Sequence, residues 1–332
     1  MNKRTTISDI AEYLGINKST VSRALNNPGR VSAEVHAKVQ EACKVLHYIP
    51  NVAAKTLASS SSRSIVLIVP SFTNSVFSEI ISTAKKKCED SGYNLLIGDS
   101  TYTLMGEEKV IENFLQHNVD GFILTETNHS SKSRTLIKNA GLPVIEIMDV
   151  LDNPTFNANF GVDQIAAATE LTEYLINKGR KNIAFCSTWL DRRAQLRKEA
   201  WEATMEKHGL EKHRFINIKE RTSFHNGAQA IVEILSNWPE TEAVFFVNDD
   251  LAAGAIMECQ RLEVKVGDEL DIVGFNDLDF AEVITPRLTT IRTPRLQMAA
   301  LAVESVIALI EGKSLDSSQK VLPHELMIRE SA

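Results

Sequence analysis

Apolar residues recur at helical spacing from the start of the chain. Ile10 and Leu14 share one face and Val21 and Leu25 another, with Gly15 between the two segments. Thr6 and Asp9 form a capping pair for the first helix, and Ala11 is small enough for two helices to cross closely. Gly15 supplies the positive φ that a tight turn requires, and Asn17 is placed to cap the second helix. A third helix begins at Ser32, with Val35, Val39, Ala42 and Leu46 on one side. After Ser59–Arg63, small and polar, the pattern changes to short apolar β-type runs alternating with helical stretches.

The strand-like runs are Ile65–Val69, Leu95–Ile97, Gly121–Leu124 and Val144–Ile147, then Ile183–Cys186, Phe215–Ile218, Ala243–Val247 and Asp271–Phe275. Between them the spacing predicts helices through Cys88, near Glu107–His117 and near Ser133–Ala140, with Ile165–Asn177 opening a second series. A helix over Pro294–Glu311 and a strand near Glu325–Ile328 finish the chain. The expected fold is an all-α N-terminal headpiece followed by two doubly wound α/β lobes.

The first two helices read as a helix-turn-helix, the unit that lays its second helix in the DNA major groove. Lys18, Ser19, Thr20, Ser22, Arg23 and Asn26 occupy that helix's exposed positions and offer donors and acceptors to phosphates and base edges. Lys18, Ser19 and Arg23 are expected to read sequence, and the others to position the helix on the backbone. An amphipathic helix pair alone would not settle this, but charge agrees. Through Arg63 nine Lys and Arg stand against four Asp and Glu, a net of +5; the whole chain carries −7, leaving −12 for the rest. A basic headpiece on an acidic body suits local contact with DNA.

The Ser19-Thr20-Val21-Ser22-Arg23 run, the third helix and Tyr48–Ala58 together closely resemble the headpiece and hinge of LacI/GalR-family bacterial transcription regulators. The resemblance covers the first sixty or so residues. Asn51–Ala58 is about two helical turns, too short to be stable alone. The resemblance implies that it folds when two copies pair on DNA, Asn51 and Ala54 lying at the DNA and Leu57 wedging into the minor groove. It also implies a core like periplasmic sugar-binding proteins of type I, in which each lobe is discontinuous. The expected domains are a headpiece over 1–50, a hinge and linker over 51–63, an N-terminal lobe of 64–162 plus 293–320, and a C-terminal lobe of 163–292 plus 321–332.

In open α/β sheets ligands sit beyond the carboxyl ends of strands. Polar residues gather there: Ser71, Phe72 and Asn74 follow the first strand with an aromatic among them, Thr125, Glu126 and His129 follow the third, and Asp149 the fourth. In the second lobe Arg193, Arg197, Asn248 and Asn276 do the same. These groups suit a polyol, sugar or sugar acid, and Arg197 has the fork to pair with a carboxylate or vicinal hydroxyls. Capping or loop roles compete for Ser71, His129 and Arg193, and Asn248-Asp249-Asp250 is expected both to cap a helix and to send Asn248 into the cleft. Within the family, Leu124-Thr125-Glu126, His129, Arg134-Thr135, Met148-Asp149, Asn248–Ala252 and Glu258–Leu262 resemble LacI-type gluconate-operon repressors. Two departures stand out: Ala200 replaces the usual glycine after Arg197, and Asn276 the usual acid.

A dimeric, cytoplasmic repressor of a pseudo-palindromic operator, released by gluconate or a related sugar acid, is therefore expected. Release as against corepression follows from the subfamily resemblance alone. A neutral sugar or a purine corepressor remains an alternative, as does a solute-binding protein without DNA regulation. No glycine-rich dinucleotide loop, Walker lysine or nucleophile elbow supports an enzyme, and no cofactor or metal spacing appears. No apolar run is long enough for a membrane span, no signal core follows Met1–Arg4, and no heptad tail predicts tetramers. Cys43, Cys88, Cys186 and Cys259 lie far apart and are expected to be buried free thiols.

Overall fold

The computed structural model describes residues 5–49, 61–188 and 191–332. It divides into two compact units, Met1–Ser62 and Arg63–Ala332.

In the first unit α1 (Ile7–Leu14) starts from a complete capping box. The Thr6 backbone N–H donates to Asp9 Oδ2 at 2.6 Å, and the Asp9 N–H donates back to Thr6 Oγ1 at 3.4 Å. Gly15 ends it with φ 64°. α2 (Lys18–Asn26) follows, but the Asn17 side chain, expected to cap it, makes no capping bond. Ser32 caps α3 (Ala33–Val45) through Val35 N–H at 3.3 Å. Ile10, Ala11, Val21, Ala24, Val39 and Ala42 are the buried centre, with Leu14, Leu25, Val35 and Leu46 around them. The positions read as apolar faces are those that meet.

The second unit holds two parallel sheets. β1 (Ser64–Val69), β2 (Asn94–Asp99), β3 (Gly121–Leu124), β4 (Val144–Asp149), β5 (Ala158–Val162) and β11 (Gln319–Val321) form one, in the order β11-β5-β4-β3-β1-β2. β6 (Ile183–Thr188), β7 (Phe215–Ile218), β8 (Ala243–Phe246) and β9 (Asp271–Val273) form the other, in the order β7-β6-β8-β9. Ile65 pairs with Leu95 on one side and Gly121 on the other, a register that aligns the strand ends along one edge. β10 (Thr290–Arg292) and β12 (Glu325–Met327) pair antiparallel near the crossings between lobes.

Helices cover both sheets, as parallel sheets require. The first lobe carries α4 (Ser75–Asp90), α5 (Leu104–Leu115) and α6 (Ser131–Ala140). The second carries α7 (Gln164–Asn177), α8 (Arg192–Lys207), α9 (Phe224–Asn237) and α10 (Asp249–Arg261). α11 (Arg295–Ile310) returns to pack on α4, β3 and β4. α9 and α10 cross at two glycines: a Cβ on Gly227 would meet the Leu251 carbonyl oxygen at 2.1 Å, and one on Gly254 the Phe224 carbonyl oxygen at 1.9 Å.

β5 and β11 have no counterpart in the strand runs read from the chain. Asn159 and Gly161 interrupt the apolar pattern of β5 for a packing reason. The Asn159 amide accepts from Leu151 N–H at 3.0 Å and donates to Asp149 O at 2.9 Å, while a Cβ at Gly161 would lie 2.3 Å from that same oxygen. α5 begins earlier than Glu107, at the Thr103 cap, because buried Glu107 is an interior residue of the helix. The four cysteines are free; Cys88, Cys186 and Cys259 are buried and Cys43 is half-buried. Among the described residues no helix is long and apolar enough to cross a membrane.

Candidate functional site

Between the two sheets' carboxyl edges lies a cavity of about 370 Å³. From the first lobe Ser71, Asn74, Tyr102 and Met148 line it; from the second come Arg193, Arg197, Asn248 and Asn276, with Lys219 and Arg221 exposed at the side.

Arg197 projects from α8 and is only 6% exposed. Its guanidinium lies over the Phe275 ring, 3.6 Å from the centroid. Nε donates to Gln164 Oε1 at 2.8 Å and Nη1 to Val247 O at 2.7 Å. Among the described residues no carboxylate forms an ion pair with it. Burial, reinforced by the charge of Arg193, lowers its pKa to about 9, with Asp191, Asp149 and Asp249 opposing. It remains a cation at neutral pH, with nearby carboxylate charge but, among the described residues, no carboxylate in direct ion-pair contact. Ala200, in place of glycine, sits within an uninterrupted α8. Trp201 is buried behind it, 5.4 Å from Phe185 between ring centroids.

Asn276 is 3% exposed with φ 115° and lines the cavity. Its backbone N–H is tied to Ile291 O at 2.8 Å. Asn248 Oδ1 caps α10 through Leu251 N–H at 3.1 Å and accepts from Thr222 at 3.0 Å, and the residue lines the cavity. Asn74 caps α4 through Val76 N–H and donates to the Tyr102 hydroxyl at 3.0 Å. Burial raises the Tyr102 pKa to about 12, so that hydroxyl stays protonated. Ser71 holds the turn at Thr73.

The remaining candidates lie off the cavity lining. Phe72 is exposed. Thr125 is buried, with its hydroxyl on Ile68 O at 3.0 Å. Glu126 pairs with Arg193 at 2.7 Å, and Asp149 with Arg192 at 2.7 Å. His129 sits inside the first lobe between Glu107 (2.9 Å) and Glu146 (3.2 Å), both buried. Burial works against its charged form, but the two carboxylates outweigh it and raise the pKa to about 9. Strand-end position alone put these residues with the cleft; their partners place them beside it. Tyr102, Lys219, Arg221 and Thr222 line the cavity without having been singled out, although each follows a strand and the same rule reaches them.

On the headpiece, Lys18, Ser19, Arg23 and Asn26 are exposed on α2, and Thr20 and Ser22 half-buried. Among the described residues neither Lys18 nor Arg23 forms an ion pair. Asn51, Ala54 and Leu57 lie outside the described residues.

The model of lacI-family bacterial regulatory proteins matches residues 6–51, and that of the periplasmic binding protein-like domain residues 172–332. Over 313 residues the chain is 36% identical to the HTH-type transcriptional regulator GntR of Escherichia coli (strain K12), covering 94% of each. The chain belongs to the LacI family. This LacI-family repressor is also 35% identical to the GntR regulator of Pseudomonas aeruginosa, over 99% of its own length and 96% of that protein's. A LacI-family regulator from Silicibacter pomeroyi matches it with a TM-score of 0.93 at 28% identity, covering 98% of this chain and 99% of that one. The Lac repressor dimer bound to operator shares the fold, with a TM-score of 0.85 at 23% identity and 99% of each chain covered. These relatives are transcriptional regulators rather than enzymes.

Proposed function

We propose that this repressor controls a gluconate or closely related sugar-acid operon and is released from DNA when the acid binds between its lobes. The observation that carries the reading is Arg197, a buried cation lining the cavity without a carboxylate partner. A ligand carboxylate supplies that partner, and a desolvated charge-assisted pair discriminates strongly between acid and neutral sugar. Around it Arg193 is tied to Glu126 and Asp191, which leaves Arg197 with exposed Lys219 and Arg221 against Glu220, so the unpaired lining favours an anion. Asn248, Asn276, Ser71 and Asn74 offer the amide and hydroxyl groups a polyol chain needs. The relatives from Escherichia coli and Pseudomonas aeruginosa carry the regulator name GntR, which supports the subfamily reading.

In this reading Lys18, Ser19 and Arg23 read base edges, Thr20, Ser22 and Asn26 hold phosphates, and Asn51, Ala54 and Leu57 belong to a hinge ordered on DNA. The segments 64–162 plus 293–320 and 163–292 plus 321–332 are the moving lobes, and Glu126, Asp149 and His129 act from behind the cleft wall. The protein works as a cytoplasmic homodimer on a pseudo-palindrome. Its second lobe presents an apolar patch suited to self-association: Val283 is 77% exposed, and Phe224 lies edge-on to Phe280 at 5.2 Å.

A gel-shift titration on the DNA upstream of the protein's own gene tests this, using gluconate, other sugar acids, neutral hexoses and purines. Gluconate-type acids should dissociate the complex while hexoses and purines leave it intact. A response to a neutral sugar or purine alone would overturn the effector assignment, and tightening by the acid would reverse its sign.

A further inference from the structure

Every group that holds Arg197 is uncharged. The Phe275 ring, the Val247 carbonyl and the Gln164 carboxamide fix the guanidinium, and among them only Gln164 is a side-chain hydrogen-bond acceptor. The amide's orientation follows from its partners. Arginine can only donate and a backbone carbonyl can only accept, so Oε1 faces Arg197 and Nε2 faces Met148 O at 3.1 Å and Val162 O at 3.4 Å. Gln164 is buried at the first turn of α7, where the chain passes from one lobe to the other. It therefore touches a cavity residue of each lobe, Met148 and Arg197.

The residue type matters here. A glutamate has nearly the same shape, but it would give Arg197 an internal counter-ion and leave the two carbonyls without their donor. The guanidinium would then meet a ligand carboxylate as half of a neutral pair, and the incoming charge would lose its compensation.

We infer that Gln164 is a specificity-determining positioning residue, which aims Arg197 into the cleft without neutralising it and so reserves its charge for an acidic ligand. The inference rests on the sugar-acid reading of the cleft. It adds to it the group that sets the preference for acid over its neutral counterpart. Gln164 itself is not on the cavity lining; it acts through Arg197.

The test uses the full chain, with Gln164→Glu and Gln164→Met, and calorimetric titration with gluconate and with gluconamide, which keeps the polyol and removes the charge. The wild-type protein should prefer the acid by about tenfold or more. Gln164→Glu should compress that ratio to roughly threefold or less, while Gln164→Met weakens both ligands and keeps the preference for the acid. A ligand-free readout accompanies it: the Nε–H resonance of Arg197 in ¹⁵N NMR, assigned through Arg197→Lys. That resonance should move when its acceptor becomes a carboxylate, and in Gln164→Met it should move and exchange faster with water. An unchanged acid-to-amide ratio in a folded Gln164→Glu protein overturns the inference, as does an unmoved resonance in either variant. If the wild type binds neither compound, the sugar-acid reading fails, and the positioning role is decided by the resonance.

Discussion

Arg193 of the second lobe donates Nη2 to Glu126 Oε1 of the first at 2.7 Å, and its Nη1 reaches the Thr125 carbonyl at 2.6 Å. The two side chains, both candidates for ligand contact from their positions at strand ends, occupy each other instead. Beside them Arg192 Nε meets Asp149 Oδ2 at 2.7 Å, so two consecutive residues at the start of α8 tie the lobes together.

Glu126→Gln should therefore act on lobe motion more than on ligand contact. Losing the charge weakens the tie while leaving the carbonyl bond, so amides at the start of α8 should exchange with deuterium faster in the ligand-free protein. Gluconate affinity should change by less than about tenfold. Exchange at the wild-type rate would show that the pair does not hold the lobes.

His129 predicts a pH dependence of stability. Glu107 and Glu146 accept from its two ring nitrogens and hold the folded imidazole pKa near 9, above its ordinary 6.5. A pKa raised in the folded state gives stability that is complete below pH 6.5 and lost as pH rises through 9. Urea denaturation between those limits should show a fall on the order of 1–3 kcal/mol. His129→Gln should flatten that slope and lower stability at the acid end; the same slope in both proteins would place the titration elsewhere.

Gly254→Ala should destabilise the second lobe. The new methyl would press on the backbone of Phe224, which cannot rotate away, and α9 and α10 would have to separate. The expected loss is about 1–3 kcal/mol, read as a lower urea midpoint. A midpoint within error of wild type would mean that the helices yield without cost.

These contacts also show how much of the fold and the site is legible in the sequence. The headpiece was legible almost to the residue, since Thr6, Asp9 and Gly15 act locally and Ile10, Val21 and Val39 mark faces by spacing alone. The alternation of buried strands and helices was legible for the same reason. β5 was not, because Asn159 and Gly161 serve contacts to Asp149 that sequence distance hides. Arg197, Asn248 and Asn276 could be placed at the cavity by the strand-end rule, but that rule says nothing of partners. Glu126, Asp149 and His129 satisfy it equally and are bound to Arg193, Arg192 and two glutamates. Only geometry separates a side chain that lines the cavity from one tied to a partner beside it.

Arg23 tests the DNA-reading surface. It is exposed on α2, and among the described residues it forms no ion pair. Arg23→Ala should cost about 1–3 kcal/mol at the cognate operator and far less on random DNA, measured by fluorescence anisotropy at fixed salt. Equal losses on both would make Arg23 a phosphate contact.

The most direct measurement is calorimetric titration of the full chain with gluconate, for wild type and Arg197→Ala. One gluconate should bind per wild-type chain. Removing the buried guanidinium should weaken binding by about 2–5 kcal/mol, the cost of leaving a desolvated carboxylate unpaired. Gluconate binding to Arg197→Ala with wild-type affinity, or no binding to the wild type, would contradict it.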